Sequence, residues 1–141
     1  MVPPFPPRAS MRSILRPVIT GILVIGFFST SWAAAPLRVE MVEFKFRPAV
    51  IRVQVGRLIT LRLVNRGQIA HQFDTVALRA VAVTVADDQL DVEAPGLDVV
   101  RLQPGASATV QFLPRHRGRF PIVCTIEGHR EAGMEGVLEI R

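Results

Sequence analysis

Cys124-Thr125-Ile126-Glu127-Gly128-His129-Arg130-Glu131-Ala132-Gly133-Met134 holds the only cysteine of the chain, with a histidine and a methionine each following after a gap of four residues. A thiolate, an imidazole and a thioether are soft and borderline donors of the kind copper prefers. Gly128, Gly133 and Gly136 punctuate the stretch, so the backbone can turn back on itself and bring three side chains to one point. A fourth donor has to come from elsewhere, and only His71 and His116 remain.

Working back toward the N-terminus, Phe120 to Cys124 reads as a strand whose end carries the thiolate, and Val137 to Ile140 as the last strand. Ala108, Val110 and Phe112 alternate with Thr109 and Gln111, and Gln103-Pro104-Gly105-Ala106 makes a tight turn after the short run Val99 to Leu102. Period-2 alternation is the mark of a strand with one buried face. It recurs in Ile51, Val53 and Val55, and again in Ile59, Leu61 and Leu63 before the turn at Asn65-Arg66-Gly67. Leu37 to Phe46 opens the pattern. In Ile69-Ala70-His71-Gln72-Phe73, an extended backbone points Ile69, His71 and Phe73 the same way. His71 then shares an apolar face and lies inside, whereas His116 sits in the polar turn Pro114 to Gly118. His71 is therefore the choice for the fourth donor.

Asp74 to Asp98 is less regular, with six acidic residues and the single base Arg79. Val76 to Ala86 suits a strand or a short helix, with Val81, Val83 and Val85 favouring strand, and the segment as a whole is expected to be a surface excursion. Its acidity reads as a solvated loop, with a docking patch for a basic partner as the alternative. About seven to nine short strands, turns every ten residues or so and no long helical pattern predict an all-β fold, an antiparallel β-sandwich.

The beginning of the chain has another character. Residues 11–35 read as a secretory signal: Arg12 and Arg16 form the charged start, Val18 to Phe28 the apolar centre, and Ser31-Trp32-Ala33-Ala34-Ala35 the small-residue end. The apolar centre is short for a bilayer span, which needs about 20 residues, though an uncleaved anchor is the alternative. Met1 to Ser10 precedes the signal without contributing to it, so Met11 is expected to be the true start. The domain organisation is then residues 1–34 as extension and signal, and residues 35–141 as one domain that is periplasmic or secreted.

Cleavage near Ala34 removes Arg8, Arg12 and Arg16, leaving 14 basic residues against 12 acidic ones. Dispersed bases without a basic run exclude nucleic-acid binding. A lone cysteine in an oxidising compartment forms no internal disulfide, and His129 and Met134 beside it give it a different use.

Taken singly, each of these residues has an ordinary explanation: Cys124 and Met134 as core filling, His71 as a satisfied core histidine, His129 as a loop residue. Their joint spacing on one glycine-punctuated turn points instead to a metal. Cys124, His71 and His129 would form a trigonal set with the Met134 sulfur as weak axial ligand, an arrangement of electron-transfer copper sites. Zinc prefers four firm ligands, and a thioether is a poor one. Phe73, Phe120 and Ile126 are apolar neighbours able to exclude water and tune the potential.

Cys124 to Gly136, together with Gly118-Arg119-Phe120-Pro121 and Leu63-Val64-Asn65…His71-Gln72-Phe73, resembles the cupredoxins, the blue-copper family that includes plastocyanin, pseudoazurin and azurin. Phe44-Lys45-Phe46-Arg47-Pro48 through Gly56 is similar to the opening strands of bacterial periplasmic members. The resemblance implies a Greek-key sandwich, one copper held by His71, Cys124, His129 and Met134, and electron transfer through the edge of His129. Asn65, Gln72 and Thr125 would support the ligands. Many members carry Asn directly after the first ligand histidine, where it ties the two ligand loops; here Gln72 takes that place, with Thr125 opposite as a hydroxyl partner. Glu127 stands where proline is frequent.

Multicopper oxidases and copper nitrite reductases need more histidines than the three this chain has, and a dinuclear copper site needs a second cysteine. No serine–histidine–acid or paired-carboxylate pattern stands out. The chain therefore reads as a non-catalytic monomer without stable membrane insertion after cleavage. It would act either as a one-electron carrier docking transiently with redox partners, or as a copper-binding protein that passes copper to an acceptor in resistance or delivery.

Overall fold

The computed structural model describes residues 35–141. Apart from Ala35, the signal expected over residues 11–35 and the extension before it lie outside the described residues. The strands are β1 (Leu37–Val42), β2 (Lys45–Arg47), β3 (Val50–Val53), β4 (Ile59–Asn65), β5 (His71–Asp74), β6 (Val83–Ala86), β7 (Asp91–Ala94), β8 (Val99–Leu102), β9 (Ser107–Phe112), β10 (Gly118–Val123) and β11 (Glu135–Ile140). One 3₁₀ turn, Val76–Leu78, follows β5. Among the described residues no helix is long and apolar enough to cross a membrane.

The strands form two sheets, in the orders β2-β1-β4-β9-β6-β7 and β3-β11-β10-β5-β8. Alternation drives this layering. In β9 every second residue, Ala108, Val110 and Phe112, is buried, and in β4 Leu61, Leu63 and Asn65 turn inward. The apolar side chains from both sheets merge into one core, and Met41, Leu61, Leu63, Val110, Ile122 and Leu138 have no exposed surface at all. Closing this core is the main driving force for the fold, since each fully buried aliphatic side chain contributes about 1.5–3 kcal/mol.

The eleven strands among the described residues exceed the seven to nine read from the pattern. The run Leu37 to Phe46 breaks at Glu43 and Phe44 into β1 and β2, which pair as a hairpin with Met41 opposite Phe46. β7 has no alternation to betray it, because Asp91, Val92 and Glu93 are all exposed at the sheet edge. The pairing is also mixed. β4 runs parallel to β1, and β11 parallel to β3. β3 belongs to the second sheet, so the chain leaves the first sheet after β2 and returns to it alongside β1 in the same direction.

The acidic segment is less of an excursion than expected. Its β6 pairs with both β7 and β9, and Leu78 and Val83 are buried. Several of the acids are used locally: Asp87 accepts from the backbone N–H of Gln89 and Leu90 at 2.7 and 2.8 Å, closing the β6–β7 turn. Arg79 bridges Asp74 at 2.9 Å and Asp98 at 3.5 Å. Ile69 also departs from the pattern. It is 41% exposed while His71 and Phe73 are buried, because β5 begins only at His71 and Ile69 lies in the preceding loop.

The Leu61→Ala substitution should cost about 3 kcal/mol, the usual scale for truncating a fully buried leucine, whereas Arg101→Ala on an exposed position of β8 should stay within about 0.5 kcal/mol. Denaturant unfolding of the metal-free protein measures both.

Candidate metal centre

His71 enters the core because β5 alternates, with His71 and Phe73 inward. Cys124 directly follows β10, the neighbour of β5 in the same sheet. β5 and β10 are joined by a single residue pair, Asp74 with Val123. Beyond it the backbone N–H of Gln72 donates to Cys124 Sγ at 3.3 Å, so the sulfur accepts a donor from the neighbouring strand.

Cys124 also opens the loop to β11. Its N–H donates to the carbonyl of Met134 at 3.3 Å, and the N–H of Met134 donates to the carbonyl of His129 at 3.0 Å. Inside the loop His129 N–H reaches Ile126 O at 3.1 Å, and Gly133 N–H reaches Arg130 O at 2.8 Å. Gly128 and Gly133 have φ of 78° and 98°, a region that side chains with a Cβ enter only at a cost. The turns fold His129 and Met134 back over Cys124.

A compact donor cluster results. One ligand atom each from His71, Cys124 and His129 lie within 4.8 Å of one another, and Cys124 Sγ stands 3.3 Å from His129 Nδ1. The two imidazoles meet edge to face, with ring centroids 5.2 Å apart. His71, Cys124 and Met134 are fully buried, and His129 keeps 7% of its surface exposed. His116 is exposed in its turn, away from the cluster.

The residues around the cluster divide in two groups. Asn65, fully buried, donates from Nδ2 to the carbonyls of Ile69 at 2.8 Å and Leu102 at 2.9 Å, and accepts from the Gly67 N–H at 2.9 Å. It thereby shapes the loop that leads into His71. Thr125 donates its hydroxyl to Gln72 Oε1, so the two ligand segments are tied through the longer glutamine side chain. Phe73 is buried against Phe46, ring centroids 6.0 Å apart, and Ile126 is half-buried at the core margin. Phe120 is elsewhere: it lies four residues before Cys124, about 13 Å along the strand at the usual rise, with its ring against Gly118.

Two neighbours escaped the sequence reading. Phe44 packs edge to face on His129, centroids 5.0 Å apart, and Glu43 Oε1 lies 3.7 Å from His71 Nε2. Both sit in the β1–β2 turn, far from the donors in sequence, and no local spacing marks them. The backbone N–H of Gln68 and its own N–H hold the Glu43 carboxyl below its ordinary value, assisted by the Ile69 N–H and by His71. Burial pushes His71 below its ordinary 6.5, and the His129 charge adds to this while Glu43 opposes it.

Both ring nitrogens of the buried His71 lack a hydrogen-bond partner. A buried polar atom left unpaired costs about 1–3 kcal/mol, and a metal bound to one of them would relieve that cost. A thiolate with two neutral imidazoles suits copper better than hard cations. The chain matches the family described as Cupredoxin-like domain over residues 18–138. It belongs to the cupredoxin-like family.

Within that family, the donor set makes it a copper-binding protein, with one cluster fit for a single ion. The copper-resistant cuproprotein CopI of Rubrivivax gelatinosus is 34% identical over 114 residues, covering 77% of this chain and 68% of that protein. Reduced auracyanin from Roseiflexus castenholzii superposes with a TM-score of 0.54 at 18% identity, over 77% of this chain and 98% of its own. A multicopper oxidase from Campylobacter jejuni gives a TM-score of 0.58 at 14% identity, where 77% of this chain spans only 31% of the oxidase. These structural likenesses show the fold of the cupredoxin-like chain.

Replacing Asn65 by Ala orphans the Leu102 carbonyl and the Gly67 N–H, and should lower stability by about 3 kcal/mol while loosening the loop before His71; thermal unfolding with and without copper reads both effects. The pH dependence follows from His71. Its folded value lies below 6.5, so below 6.5 the unfolded chain binds the extra proton first and stability is lost as pH falls. The melting temperature of the metal-free protein should thus be level above about pH 6.5 and decline beneath it, and His71→Gln should flatten that decline.

Proposed function

We propose that this chain is an exported, non-catalytic copper protein that binds one copper through His71, Cys124, His129 and Met134 and acts as a one-electron carrier. The observation that supports it most is the burial of the four residues: His71, Cys124 and Met134 have no exposed surface, and His129 alone keeps 7% of its surface exposed. Copper in such a site supplies a one-electron couple. The chain contributes a donor cage held by backbone hydrogen bonds before any metal arrives, which keeps rearrangement between oxidation states small. His129, flanked by exposed Gly128 and Arg130, is the contact point for a transient redox partner. The sequence's three histidines leave only His116 outside the cluster, too few for the second centre of a copper oxidase or nitrite reductase.

A second reading is copper resistance, in which the same site holds copper to lower its free concentration or passes it to an acceptor. The 34% identity to a protein named for copper resistance favours it. Export fits both readings, and so does a monomer.

Adding Cu(II) to the metal-free protein should give an intense visible thiolate-to-copper band, and Cys124→Ser should abolish it. A carrier then shows fast electron self-exchange and slow copper loss. Rapid transfer of Cu(I) to a competing chelator, with slow self-exchange, would instead select the resistance reading.

A further inference from the structure

We propose that Glu43 is a positioning residue for the copper centre: its carboxylate faces the outer nitrogen of His71, fixes that imidazole and biases the site toward the oxidised metal. The inference rests on the copper reading of the His71–Cys124–His129 cluster.

Three observations converge on it. Glu43 Oε1 stands 3.7 Å from His71 Nε2, and that nitrogen has no other partner. The same oxygen accepts from the backbone N–H of Gln68 and from that of Ile69 at 3.2 Å, so it is held in place and does not swing freely in solvent. Gly67 leaves room for the approach: a Cβ built there would run into the Glu43 carboxylate and would stand 2.7 Å from His71 Nε2. Asn65 grips that glycine from the other side through its 2.9 Å hydrogen bond. The loop 65–69 therefore holds the carboxylate facing the imidazole at 3.7 Å.

The chemistry follows from the tautomer. An imidazole that gives one nitrogen to a metal carries its proton on the other, and Nε2 faces Glu43. Donation of that N–H to a carboxylate fixes the ring plane and raises the basicity of the ligand. A fixed negative charge this close also stabilises Cu(II) more than Cu(I). The opening β1–β2 turn thus reaches both histidines, with Glu43 at His71 and Phe44 on the face of His129.

Glu43→Gln tests this in the copper-loaded protein, because the amide keeps an acceptor oxygen for Gln68 and Ile69 but loses the charge. Removing such a partner usually changes metal affinity 10- to 100-fold. Cu(II) affinity should fall about 10-fold relative to Cu(I), which for one electron is an upward shift of about 59 mV in reduction potential, read by voltammetry and by competition titration. The thiolate band should persist, and Glu43→Asp, which keeps the charge, should shift less. A merely structural Glu43 would lower the melting temperature of the metal-free variant and leave the potential in place, which overturns the proposal. An unchanged potential and affinity ratio with the band intact overturns it too, while the copper reading stands. A missing band in the unsubstituted protein would overturn both at once, so the two failures are distinct.

Discussion

The joint between β5 and β10 is the constraint on which the centre depends. These strands come from opposite halves of the domain and share one residue pair, Asp74 with Val123. The next donor along β5, the N–H of Gln72, goes to the sulfur of Cys124. Without that pair, the tie between the two segments would rest on the Thr125–Gln72 hydrogen bond and the N–H to sulfur contact alone. One pair followed by an N–H to sulfur contact sets the separation at which a thiolate and an imidazole can share an ion.

The surrounding core carries a cost for this arrangement. Two histidines, an asparagine and a thiol are buried among leucines, valines and phenylalanines, where polar groups cost free energy unless each has a partner. Asn65 is satisfied through three hydrogen bonds, and His71 is left without any. The contrast separates their roles. A buried polar side chain that is fully bonded shapes the backbone, whereas one that is aimed into a donor cluster and unpaired is reserved for a ligand. Metal-free folding must then tolerate an unsatisfied imidazole, which the rest of the sandwich offsets through its apolar contacts.

What could be read in the sequence divides along the same physical line. The loop from Cys124 to Met134 was legible because its donors are close in sequence and its glycines mark the turns. His71 was legible because period-2 alternation needs only nearest neighbours. The same rule failed at Ile69, which precedes the strand and is exposed. It failed again at β7, an edge strand with no buried face to impose a pattern. The parallel pairings of β1 with β4 and of β3 with β11 depend on which sheet each strand joins, information that alternation does not contain. Glu43 and Phe44 were invisible for a related reason: their contacts to His71 and His129 are tertiary, and a charged residue beside an aromatic one at a turn is an ordinary surface pattern. Phe120 shows the converse, since nearness to Cys124 along a strand translates into about 13 Å of separation.

The way the centre is assembled also bears on how the two functional readings relate. His71, Cys124 and Met134 have no exposed surface, and backbone hydrogen bonds close the loop that carries the last two. A protein that handed copper on rapidly would have to loosen the Met134–His129 and Cys124–Met134 backbone bonds, the same bonds that fix the donors. The Arg130–Glu135 pair at 2.7 Å spans the loop exit but is more than half exposed on both sides, where ion pairs contribute little. Resistance to loop opening therefore comes from the backbone hydrogen bonds that close the loop rather than from that pair.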